Sequence, residues 1–120
     1  MVISNPQTFD HLKAASGETL RIKLVPIGDW DMDTTANKNV AHGLDDEKII
    51  AAWACIRNDT GFTRGNLAGM YQDPYPGYGG IVEWGGVSIY LWRTERGHYD
   101  SIDYNTVPLN RGTITILYHD

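Results

Sequence analysis

The chain has 120 residues, a length that suits one domain rather than two. Its apolar and charged contents, 42% and 21%, are ordinary for a globular protein and argue against disorder. A net charge of −5 without any run of Lys or Arg excludes the clustered cations that nucleic acid requires, so no nucleic-acid partner is expected.

Residues 1–17 have a mild helical look in Phe9 to Ala15 and end at Ser16-Gly17, which predicts a short N-terminal arm or single helical turn. Met1 to Pro6 lacks the basic and apolar regions of a secretory signal, and no apolar run is long enough to span a bilayer. Cytoplasmic synthesis without membrane insertion is therefore expected. From residue 18 to 120 the pattern is that of one β-domain. Leu20, Ile22 and Leu24 alternate with Arg21 and Lys23, predicting a half-buried strand with its cations on the solvent side. Pro26 and Gly28 close it, and the acidic stretch Asp29 to Asp33 opens a polar run. A short strand over Asn39 to His42 stops at Gly43.

The run Lys48 to Asn58 lacks alternation, so a buried helix and a central strand both fit its composition. Its length of about ten residues, followed by Asn58-Asp59-Thr60-Gly61, favours the strand covered on both faces. Within it, Cys55 is expected to be a small buried hydrophobe. As the lone cysteine it excludes an intrachain disulfide and a cysteine-based zinc site. Gly61 to Gly80 is dense in Gly and Pro and predicts a long irregular loop. Ile81 to Trp84 and Val87 to Arg93 flank Gly85-Gly86, predicting a tight hairpin that turns on both glycines. Val87 to Arg93 is apolar on both faces. A polar loop over Thr94 to Asn110 then leads to a last strand, Thr113 to Tyr118. Short strands punctuated by turn signals imply an all-β, antiparallel β-sandwich of jelly-roll-like form.

Catalytic signatures are missing. His11, His42, His98 and His119 are scattered without metal-ligand spacing and read as unrelated surface histidines. No nucleophile elbow, P-loop or dinucleotide fingerprint occurs, and no helix follows Gly77-Tyr78-Gly79-Gly80 to hold a phosphate. Asp29, Asp31 and Asp33 resemble the start of a calcium loop, but its sixth and twelfth positions hold Thr34 and Val40, which excludes an EF-hand. A looser oxygen site and a solvated turn both remain open there. No cofactor, metal or enzymatic activity is expected. Tyr71, Tyr75 and Tyr78 stand on a Gly/Pro-braced loop, where planar rings either stack on a ligand or fold back to cap the sandwich edge. With Trp30 they form the candidate ligand-binding set.

Three segments carry a resemblance: Ile27 to Asp33 followed by Val40 to Leu44, then Ile56 to Asp59, then Tyr104-Asn105 with Asn110 to Ile116. Together they resemble the small β-domains of tail-fibre and other virion proteins of bacteriophages, especially those of Bacteroidetes and related prophages. The resemblance implies a non-enzymatic virion component (tail fibre, tail tip, cap or decoration). It also implies assembly with copies of itself, often as a trimer, and with other virion proteins, with host-receptor binding as a further role. The fibre shaft usual in such proteins is not part of this chain, and the Gly69 to Gly80 segment matches none of their motifs. The alternative expectation is a carbohydrate-binding module that uses the loop aromatics on a host glycan.

Overall fold

A computed structural model describes residues 17, 19–71 and 76–120, with the backbone alone at 69–71 and 76–78. The predicted N-terminal arm lies outside the described residues, apart from Gly17. Two four-stranded antiparallel sheets make the domain. The first carries β1 (Leu20–Pro26), β8 (Gly112–His119), β3 (Ile49–Arg57) and β4 (Arg64–Asn66), in that spatial order. The second carries β2 (Asn37–Ala41), β7 (Ser88–Arg93), β6 (Pro76–Gly85) and β5 (Gly69–Tyr71). Outer strands nest, β1 on β8 and β2 on β7, as in a jelly roll, while β6 returns beside β7 as a hairpin. The expected β-sandwich is the fold.

The core lies between the inner faces. Ala54 and Ile56 of β3, Ile114 and Ile116 of β8, and Ile89 and Leu91 of β7 are fully buried. Each set occurs at every second residue, as the pleat demands. Ile27, Trp30, Met32, Leu67, Tyr99 and Tyr104 add to this core from loops and a short 3-10 helix (Ile102–Tyr104).

Several expectations are corrected. On β1 the faces are reversed. Lys23 pairs with the buried Ile116 and Val25 with Ile114, so the phase of Lys23 faces inward and Ile22 and Leu24 face outward, while Arg21, near the end of the strand, stays exposed as expected. Alternation gives the period but not the buried face; Val25 and Ile27, in phase with the cations, decide it. Lys23 lays its stem along the core and donates from Nζ to the His42 carbonyl (2.8 Å). Gly61 to Gly80 contains β4, β5 and the start of β6 rather than a continuous loop. Its glycines mark close approaches instead: a Cβ at Gly65 would stand 2.8 Å from the Tyr99 hydroxyl. The hairpin is displaced by one residue. Gly85 pairs with Ser88, so Gly86-Val87 is the turn, and Gly86 alone takes positive φ (+49°), the pattern of a type II′ turn. Cys55 is half-buried, because the inward phase of β3 belongs to Ala54 and Ile56. For the same reason β3 is covered on one face only: Trp53 and Ile50 are exposed, the latter in a β-bulge.

Candidate functional site

Loops from distant parts of the chain meet at one end of the sandwich around Arg111, which is fully buried. Its Nε donates to the Trp30 carbonyl, Nη1 to the Arg57 carbonyl and Nη2 to the Thr106 carbonyl, each at 3.0 Å. Nη1 also stands 3.0 Å from Asp59 Oδ1, and the guanidinium lies 5.9 Å from the centroid of the Tyr104 ring. One planar fork thereby ties three chain segments to a single point. Asp59 completes the tie by accepting from the backbone N–H groups of Asn105 (3.3 Å) and Thr106 (3.0 Å). Burial pushes the Asp59 carboxyl up, but the Thr106 and Asn105 hydrogen bonds and the Arg111 guanidinium outweigh it and hold the group below the usual range.

The acidic turn belongs to the same network. Asp29 Oδ1 accepts from Leu109 N–H (3.0 Å), and Asp31 Oδ1 accepts from Asp33 and Thr34 N–H (3.1 and 3.2 Å). Asn110 Oδ1 accepts from Gly28 N–H at 2.8 Å, and Arg111 N–H donates to the Gly28 carbonyl at 2.9 Å. Asp29 and Asp31 therefore serve separate backbone segments rather than converging on one point. Among the described residues, no three His, Cys, Asp or Glu side chains are grouped so as to hold a metal ion.

Trp30 is corrected as a stacking platform. It is 2% exposed and donates from Nε1 to the Thr35 carbonyl (2.9 Å), so its ring is core and offers no face to a sugar. Tyr75 lies outside the described residues. Tyr71 and Tyr78 are described by backbone only, on β5 and β6, where Tyr71 pairs with Pro76 and Tyr78 with Met70. The histidines are not all surface groups. His42 is fully buried, and its Nδ1 accepts from Leu44 N–H at 3.0 Å, which places the ring proton on Nε2. Gly43, at φ +70°, makes the turn between them. His98 packs edge-on against Tyr99 (centroids 4.9 Å apart) and meets the Tyr104 hydroxyl at 3.4 Å. Arg93, at the end of β7, is engaged as well. Arg93 donates to the Met32 carbonyl and pairs with Asp100 at 3.4 Å.

Beside this network, on the outer face of the first sheet, opens a cleft of about 240 Å³ lined by Cys55, Arg57, Arg64, Asn110, Gly112 and Thr113. Sequence spacing does not reveal it, because its walls come from three strands and a loop brought together only by register: Cys55 opposite Thr113 and Asn66, and Arg57 opposite Arg64. Towards the other edge the same face is apolar. Leu24 is 65% exposed and Trp53 43%, with Ile22, Ala51 and Leu117 beside them. No family model, curated protein or solved structure matches this chain.

Proposed function

We propose that this is a non-enzymatic structural protein that acts by packing against copies of itself, as virion components of the tail-fibre, cap or decoration type do. The observation that carries the reading is the outer face of the first sheet. Register places Ile22 of β1 beside Leu117 of β8, and sets Leu24 of β1 and Trp53 of β3 on either side of Thr115 of β8; none of them belongs to the core cluster. Exposed apolar side chains clustered on one sheet face, around a single Thr, mark a contact site. A smaller patch on the second sheet, Ile81 opposite Trp92, supplies a second contact for other proteins of the same particle.

Light scattering on the purified chain tests the reading. An assembled species, trimeric or larger, is expected for the wild type, and Leu24→Lys, an exposed and fold-neutral site, shifts it towards monomer. A wild type that stays monomeric and matches Leu24→Lys in mass at every concentration overturns the reading.

A further inference from the structure

The described arginines other than Arg57 and Arg64 include three whose guanidinium groups are engaged by carboxylates: Arg21 by Asp120, Arg93 by Asp100 and Arg111 by Asp59. Arg57 and Arg64 sit directly opposite each other on β3 and β4, both on the outer face. Like charges placed so destabilise a strand pair. Among the described residues no carboxylate answers them, although the chain carries 15 acidic groups against 10 Lys and Arg. Arg57 Nε is enclosed without an acceptor, so one N–H of this half-buried guanidinium is left without a hydrogen bond. Room is kept for it: a Cβ at Gly61 would come within 2.7 Å of Arg57 Nη2. The strand beneath is fixed as well, since the Arg57 carbonyl accepts from Arg111 Nη1.

We propose that the cleft lined by Arg57, Arg64, Asn110 and Thr113 binds a dianionic phosphoryl group, as inorganic phosphate or a small phosphate monoester. Two guanidinium groups supply a double positive charge and paired donors, which a phosphate dianion matches and a carboxylate only half neutralises. Asn110 already uses its carbonyl oxygen on Gly28 N–H, which leaves its amide N–H₂ to donate. Thr113 adds a hydroxyl, and no carboxylate lines the cleft. The volume, about 240 Å³, exceeds what a bare ion needs and admits a small ester substituent.

Cys55, the only cysteine of the chain, lines the same cleft and reports on it. The rate of Cys55 alkylation by iodoacetamide is measured with inorganic phosphate, glycerol 3-phosphate, acetate or chloride at matched ionic strength. Phosphate and the monoester are expected to slow the reaction saturably, and the two arms distinguish free ion from ester. Arg64→Gln, at an exposed position, weakens that protection by about tenfold or more, the loss of one charge-assisted contact. Isothermal titration of the whole protein with the same ions reads binding without relying on the thiol. Repeating both on Leu24→Lys separates a failure of this site from a failure of self-assembly. Equal protection by chloride and phosphate, or silent titrations with phosphate and the monoester, overturns the proposal. Equal binding of acetate overturns the dianion assignment.

Discussion

Replacing Arg111 by Met removes the point at which three chain segments are tied, while keeping an apolar stem of similar length. The side chain is fully buried and serves three backbone carbonyls and the Asp59 carboxylate. Hydrogen bonds from a charged donor are worth roughly 1.5–3 kcal/mol each, so the three to the carbonyls alone amount to a gross loss of about 4.5–9 kcal/mol. The substitution also removes the desolvation cost of a buried guanidinium, and the Asp59 side chain, 19% exposed, regains some water. The net expectation is a loss of about 3–5 kcal/mol, the range for breaking a buried charge pair by removing one partner. For a chain of this length each kcal/mol lowers Tm by about 4 °C, giving a fall of about 12–20 °C. Urea unfolding followed by Trp fluorescence measures it, since Trp30 is held through its own carbonyl by the Arg111 side chain. Arg111→Lys should recover little, because one ammonium cannot reach carbonyls that the guanidinium spans in a fork. A loss below about 1 kcal/mol would refute the view that this arginine holds the end of the sandwich together.

Asp59 governs part of the acid limb of stability. Its folded pKa lies below the unfolded value, so its contribution is complete well above the unfolded pKa of about 3.9 and is lost as pH falls through the folded one. Urea midpoints taken between neutral and acid pH should fall less steeply in Asp59→Asn, and an unchanged slope rejects the assignment. Tyr99 governs the opposite limb. Burial, with Tyr104 and Cys55 adding to it, pushes its phenol from the usual 10.0 up to about 12, while its hydroxyl donates to the Asn66 carbonyl at 3.0 Å. The protonated form is favoured in the fold, so this stability is present below about 10 and lost as pH rises towards 12. Tyr99→Phe should lose the hydrogen bond, about 1 kcal/mol at neutral pH, yet flatten the alkaline decline seen by circular dichroism. Lys23→Met leaves the His42 carbonyl without its Nζ donor and should cost about 1 kcal/mol in a urea melt; a stabilised variant would show that the inward ammonium is not used there.

The strands and the sandwich were legible because Ile114, Ile116, Ile89 and Leu91 obey a strict period of two between turn residues. The glycine-rich segment was not, because glycine signals a loop and a close backbone approach with the same letter. Only the packing of Tyr99 over Gly65 distinguishes them. The candidate site was illegible for a different reason. Arg57 and Arg64 become neighbours through a strand register, and Arg111 reaches Thr106 at 5 positions, Arg57 at 54 and Trp30 at 81, separations no motif encodes. Trp30 misled because an acidic turn around a Trp looks solvated, whereas Asp29 and Asp31 bend the turn so that the indole enters the core.

The reversed faces of β1 bear directly on assembly. A slip of one residue would bury Ile22 and Leu24 and release Lys23, which looks favourable on hydrophobicity alone. The register is held against that slip by Val25 packed on the core, by the Ile27 N–H bond to the Gly112 carbonyl (3.0 Å), and by Lys23 on the His42 carbonyl. The exposed leucine is thus enforced by its neighbours rather than tolerated at a loose edge. If copies of the chain cover that face, folding and association are linked, and Tm must rise with protein concentration. In Leu24→Lys the dependence should vanish while the dilute-limit Tm stays close to that of the wild type, since the side chain is 65% exposed in the single chain. A wild-type Tm independent of concentration means that the fold keeps this face bare without help, and self-packing through β1 is then rejected.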